Sequence, residues 1–159
     1  PEDLDQVMEV VGRSLITSYG RFMPWEYLED WIKAYRHREN WRLYLAPESE
    51  QDVFKAVRSR SGKKTDLVTG VLMVKADLIH ELWVSPEFQS MGMGSMLMDF
   101  AETHIQEKGY TKARLYAYSP NTKALTFYKR RGYEVQEEKT SEEYAKLGLH
   151  YAILAKDLA

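Results

Sequence analysis

Residues 82–95, LWVSPEFQSMGMGS, govern how the rest of the chain is read. An apolar stretch ends at Ser85-Pro86, crosses a short polar turn and reaches Gly92-Met93-Gly94-Ser95. Leu97, Phe100, Ala101, His104 and Ile105 then recur at helical spacing, so a helix starts at once. A strand that runs through a glycine-bearing turn into a helix builds an anion cradle. The backbone N–H groups of the turn and of the helix start converge, and the helix dipole adds positive potential there. Glycine suits such a turn because a side chain would hold the anion off the backbone, and because these turns often need positive φ.

Two familiar cradles fail on the residues. The nucleotide P-loop needs a lysine after its last glycine, and Ser95 follows Gly94. The dinucleotide fingerprint needs a third small residue where Leu97 stands. What remains is Gln89-x-x-Gly92-x-Gly94 behind a strand ending Leu82-Trp83-Val84. This resembles the acetyl-CoA pyrophosphate loop of the GNAT N-acetyltransferase superfamily. A second stretch strengthens the resemblance: Asn121-Thr-Lys-Ala124-Leu-Thr-Phe127-Tyr128-Lys-Arg-Arg-Gly132-Tyr133 follows a strand-like run from Ala113 to Tyr118. It is similar, in every anchor position, to the family's second cofactor motif.

The resemblance implies an α/β (α+β) GNAT fold, a mixed, mostly antiparallel sheet flanked by helices and splayed where acetyl-CoA enters. It implies direct transfer of acetyl from acetyl-CoA to an amine. Backbone groups of Leu82, Trp83 and Val84 would serve the pantetheine arm. Gln89, Ser90, Met91, Gly92, Met93, Gly94 and Ser95 would serve the phosphates. Asn121 would touch the arm, and Tyr128 would stabilise the departing sulfur. Asn121, Ala124 and Tyr128 stand at i, i+3 and i+7, so one helical face can present them together. A thiol near pKa ~8.5 is more acidic than a phenol near ~10, so Tyr128 reads as a hydrogen-bond donor with proton transfer late or shared.

The base is left open. A lysine-like amine with pKa ~10.4 is almost wholly protonated at neutral pH and needs help to become nucleophilic. Glu81, directly or through water, and His80, beside the donor site, are candidates, with neither of them as the alternative. Strict alternation puts them on opposite sides of the sheet, but the family often carries a bulge in this strand. A branch that acetylates the N-termini of ribosomal proteins places a glutamate base on the next strand, where this chain has Tyr116. Lys123, Lys129, Arg130 and Arg131 are candidates for the 3′-phosphate of CoA, with an ordinary solvated face as the alternative.

Helix and strand alternate along a chain of 159 residues, read as a single domain, residues 1–159. A helix is expected from Pro1 to about Ser18, with Leu4, Val7, Met8, Val11 and Leu15 on one face, and a second from about Pro24. Between and after them come Tyr19, Phe22, Trp25, Tyr27, Trp31, Tyr35 and Trp41, read as an acceptor wall that could hold a cation or as core. Strands are expected at 53–59 and 67–74, joined by a turn at Ser61-Gly62-Lys63-Lys64, then at 78–84, 113–118, 133–138 and 150–154. Helices are expected from Gly94 to about Lys108 and from Thr122 to about Arg131. The stretch Ser141–Gly148 reads as a loop. The opening strand that the resemblance implies before the first helix is not legible.

Net charge is −2, so nothing marks a nucleic-acid partner; the slight acidic balance leans toward a cationic acceptor. Cysteine is absent, which excludes disulfides, thiolate metal sites and an acyl-cysteine intermediate. Four histidines lack metal-ligand spacing, and no metal is expected. No apolar run suits a membrane span and no leader pattern is legible, so a cytoplasmic enzyme is expected, with homodimerisation open. The rival function is a CoA-binding module that senses without turnover.

Overall fold

The computed structural model describes residues 3–62 and 65–159; Pro1, Lys63 and Lys64, which the expected first helix and turn include, lie outside them. Three helices come first: α1 (Leu4–Tyr19), α2 (Trp25–Arg36) and α3 (Arg38–Tyr44). Strands β1 (Asp52–Arg58), β2 (Leu67–Lys75) and β3 (Leu78–Val84) follow, then α4 (Met93–Glu107), β4 (Lys112–Tyr118) and α5 (Thr122–Arg130). The chain continues through β5 (Glu134–Lys139), α6 (Glu142–Lys146) and β6 (Tyr151–Asp157). Among the described residues no strand precedes α1.

The six strands form one sheet in the order β1-β2-β3-β4-β6-β5. Every neighbouring pair is antiparallel except β3 and β4. The sheet separates two cores, and β2 feeds both because its successive side chains alternate. Leu72 and Val74 join Leu97, Met98, Ala101 and Ile105 beneath α4, with α5 packed beside them. Val71 and Met73 join Val7, Val11, Leu15, Leu28 and Trp41 beneath the N-terminal helices. Gly70 is where α4 comes closest: a Cβ there would stand 2.8 Å from Leu97 Cδ1 and 3.1 Å from the Trp83 carbonyl oxygen.

Two irregularities position the site. Met73 pairs with Glu81 but Val74 pairs with Ile79, so His80 is the extra residue of a β-bulge. Directly after it β3 and β4 part: they pair only at Leu78–Arg114 and Ile79–Leu115. From His80 onward the two strands diverge and leave a gap through the sheet.

Helix α6 corrects the loop expected at Ser141–Gly148. The Ser141 hydroxyl caps it by accepting the Tyr144 N–H at 3.1 Å. Tyr144 and Leu147 pack on the N-terminal core, and Leu149 is fully inside it. Helix α3 was not anticipated either; Trp41, buried within it, donates from Nε1 to the Tyr35 carbonyl oxygen at 2.6 Å.

Candidate active site

The cradle forms where β3 runs out. Ser85 N–H donates to the Thr69 carbonyl oxygen at 2.9 Å, the last rung to β2, and Pro86–Phe88 make one 3₁₀ turn. Ser90 (φ 62) and Gly92 (φ 82) then take left-handed backbone, and α4 begins at Met93. A Cβ on Gly92 would meet nothing, so the backbone conformation is what requires glycine there. Gly94 faces the ring of Phe127 in α5, with ordinary contact distance to spare. The N–H groups of Met93, Gly94 and Ser95 lie in the first turn and have no acceptor within the helix. No side chain caps this end and its first turn holds no acid, so the positive end of the dipole opens onto space. Gln89 ties the cradle together: Nε2 donates to the Val84 carbonyl oxygen at 3.2 Å and Oε1 accepts from Lys123 Nζ at 3.1 Å. Met91 is exposed, and the Met93 side chain packs on the first core, so neither thioether faces the cavity; their backbone N–H groups are what they can offer.

The parted strands supply a second set of backbone groups. Because Ser85 bonds to β2, alternation along an antiparallel ladder turns Trp83 and Glu81 toward β2 as well. Leu82 and Val84 therefore direct their N–H and C=O groups into the gap. The Val84 carbonyl is taken by Gln89 and by the Ser14 hydroxyl, at 3.0 Å, while those of Leu82 face open space. The side chains of Leu82 and Val84 pack on the first core, so backbone and side chain do separate work. On α5, Asn121 Oδ1 accepts the Ala124 N–H at 3.3 Å and starts the helix that presents Ala124 and Tyr128. One cavity of about 420 Å³ passes from the cradle through the gap to the face covered by α1 and α2.

Glu81 stands at the far end of that cavity. The bulge breaks alternation: Ile79 and Leu82, three residues apart, both pack on the α4 side, and Glu81 shares the other side with Trp83. His80 and Glu81 both border the cavity, but the His80 ring is exposed, with Nδ1 3.4 Å from Gln51 Nε2. Tyr35 of α2 donates its hydroxyl to Glu81 Oε1. The indole N–H of Trp83 is buried with no acceptor at hydrogen-bonding geometry, yet lies near enough to favour the charged carboxylate. Burial outweighs both and pushes the Glu81 pKa up to about 7. Burial raises the Tyr128 pKa to about 12, and the Glu81 charge adds to that rise, so the two groups sense each other through the gap. Tyr19, Tyr35, Tyr44 and Tyr118 are likewise raised by burial first, with Glu81 contributing in each case. His80 is lowered by burial and by the Lys75 charge, so it is neutral near pH 7.

Residues 12–133 match the profile of the Acetyltransferase (GNAT) family. The chain belongs to the GNAT acetyltransferase family. This GNAT domain is 27% identical over 143 residues to a spermidine N(1)-acetyltransferase of Thermoplasma acidophilum, covering 89% of this chain and 88% of that one. Its fold resembles the PaiA N-acetyltransferase of T. acidophilum in complex with coenzyme A, with TM-score 0.76 and 24% identity over 98% of this chain and 93% of that one. A GCN5-related N-acetyltransferase of Rhodopseudomonas palustris matches with TM-score 0.78 and 22% identity over 99% and 91% of the two chains.

Several side chains of this GNAT domain sort differently from their reading in sequence. Of the aromatic wall, Tyr19 lines the cavity and Tyr35 touches Glu81, whereas Trp41 is core and Trp25 lies exposed on the surface. Tyr116 lines the cavity on β4, where the ribosomal-protein branch has its glutamate. In the basic cluster, Arg131 is drawn into ion pairs with Asp99 and Glu102, which leaves Lys123 as the member beside the cavity. The Tyr35 contact and the Ser14 bond to Val84 were missed. Tyr35 stood in the aromatic run without a sign that its hydroxyl mattered, and Ser14 lies on the apolar face of α1 as a lone polar residue, which was the one available signal.

Proposed function

We propose that this chain is an acetyl-CoA-dependent N-acetyltransferase that transfers acetyl directly to a primary amine of a small molecule or a peptide. The observation that carries this reading is one cavity, continuous with the anion cradle, that Glu81 and Tyr128 both line, with burial raising the pKa of each. The residues fit acetyl-CoA as cosubstrate. The cradle N–H groups and Lys123 suit its phosphates, and the free backbone groups of Leu82 suit the amides of its pantetheine arm. That one relative is named a spermidine N(1)-acetyltransferase is in keeping with an amine acceptor.

In this reading Glu81 is the base. An ammonium acceptor must shed two protons on its way to an amide. One passes to Glu81, directly or through water, and then to solvent; the freed lone pair forms the C–N bond. As the C–S bond breaks, sulfur takes up charge beside the Tyr128 hydroxyl, and the second proton ends on sulfur. A phenol at about 12 lies some 3.5 units above a thiol near ~8.5, so complete transfer from Tyr128 would cost about 5 kcal/mol. Tyr128 therefore donates a hydrogen bond to the developing thiolate, and the absence of cysteine agrees with direct attack.

The test is thiol release from acetyl-CoA with a panel of amines, with Tyr128→Phe as control. Amine-dependent release that falls by roughly 10²–10³ in kcat in the variant supports the reading. Acetyl-CoA that raises the melting temperature while no amine yields thiol would instead indicate a binding module.

A further inference from the structure

We propose that Trp83 is a positioning residue for proton transfer at Glu81: its buried indole N–H bonds the carboxylate when that group is charged and is left without a partner when it is protonated. The proposal rests on the reading of Glu81 as base and adds the group that resets it after each turnover.

The observation that leads to it is an orphaned donor. Trp83 is 7% exposed and borders the cavity, yet among the described residues its Nε1–H has no acceptor at hydrogen-bonding geometry. An indole nitrogen can only donate, and a buried donor without a partner is rare in a folded chain. Burial alone does not cause it. Trp41 is still more buried, and its Nε1 donates to the Tyr35 carbonyl oxygen at 2.6 Å. Trp83 and Glu81 pair with Val71 and Met73 of β2, so alternation sets indole and carboxyl as neighbours on one side of the sheet. Tyr19 meets the Trp83 ring edge-on at 5.8 Å and holds it there from α1.

The surroundings leave Glu81 dependent on such a donor. The groups facing it are phenols: Tyr19 from α1, Tyr35 from α2, Tyr44 from α3, Tyr118 from β4 and Tyr128 from α5. None of them is charged near neutrality. His80, its neighbour on β3, is neutral there too. Among the described residues that line the cavity, the one Lys or Arg is Lys123, whose Nζ is bonded to Gln89 at the cradle end. Hydrogen bonds must therefore support the charge of the carboxylate. Tyr35 supplies one at Oε1, and the indole N–H is the other donor near enough to favour the charged form. A charged carboxylate accepts at both oxygens, whereas in the acid one oxygen carries the proton. Taking a proton from the acceptor amine thus frees the indole N–H, and releasing that proton to solvent restores the bond. The unpaired N–H penalises the protonated acid, so the base returns to its charged form for the next cycle.

Nitrogen-15 NMR of the full chain with labelled indole nitrogens tests this. The chain has four tryptophans, and the signal lost in Trp83→Phe is that of Trp83. It should move downfield as pH rises, with a midpoint of about 7, and stay flat in Glu81→Gln. The Glu81 carboxyl, followed by carbon-13, should titrate about one pH unit higher in Trp83→Phe, because a donor to the charged form is gone. A Trp83 signal that ignores pH overturns the proposal. So does one that still titrates in Glu81→Gln, or a Glu81 midpoint that Trp83→Phe leaves unchanged. If Trp83→Phe does not fold, the signal is assigned through its contact with the Tyr19 ring, and wild type against Glu81→Gln decides. Thiol release from acetyl-CoA is followed in parallel, and the acidic limb of kcat/KM should move with the carboxyl midpoint. The expected titrations without release from any amine support the charge-dependent bond and overturn the transferase reading. Release with a flat Trp83 signal keeps that reading and overturns the role of Trp83.

Discussion

Replacing Glu81 by Gln should make the protein more stable, and more so at alkaline pH. Glu81 titrates near 4.5 in the unfolded chain and at about 7 when folded, because burial disfavours its charged form. Between those values the folded state holds a proton that the unfolded state has lost, so stability falls as pH rises from about 4.5, and the loss is complete above about 7. At 1.36 kcal/mol per unit, integration gives a loss of about 1 kcal/mol by pH 5 and about 3 kcal/mol by pH 8. Gln keeps an oxygen to accept from Tyr35 and does not titrate. Any steric or hydrogen-bonding cost of the amide is the same at both pH values and cancels in the comparison. Urea unfolding of wild type and variant at pH 5 and pH 8 should show the stability difference growing by about 2.5 kcal/mol in the variant's favour. For a chain of this length that corresponds to a shift of roughly 5–10 °C in Tm. A difference that does not change between the two pH values would refute a Glu81 pKa raised by burial, and with it the argument that this carboxylate is poised as a base.

Tyr35→Phe removes a donor that favours charged Glu81, so the Glu81 pKa should rise, and the acidic limb of the kcat/KM profile should move up by about one pH unit. Gly92→Ala forces a side chain into left-handed backbone without a clash; denaturant titration should show a loss of roughly 1–2 kcal/mol, and acetyl-CoA should bind more weakly. Gly70→Ala meets Leu97 and the Trp83 carbonyl, so it should cost about 1–3 kcal/mol in the same assay, as overpacking does where α4 lies on the sheet.

The cradle was legible because all its parts are local. A strand end, a glycine free to take positive φ and the first turn of a helix occupy consecutive residues, and their joint geometry follows from backbone rules alone. The same holds for Asn121, Ala124 and Tyr128, which helical periodicity places on one face. The base remained undecided between Glu81 and His80 because side-chain direction in β3 depends on a bulge, and a bulge exists only relative to the partner strand. Only the paired sheet showed that Ile79 and Leu82 share a side and that Glu81 lies opposite them.

By itself, then, the amino-acid sequence determined the glycine-bearing turn after β3, the helix that follows it, and the helical face that carries Asn121, Ala124 and Tyr128. The tertiary structure decided what surrounds the carboxylate. Tyr35 reaches Glu81 across 46 residues, and Tyr118 meets Tyr19 and Tyr144 from three separate elements. No periodicity encodes such meetings, because they depend on sheet register and on how helices pack over it. The same packing withdraws Glu81 from water and raises its pKa, an effect that depends on residues far from it in sequence.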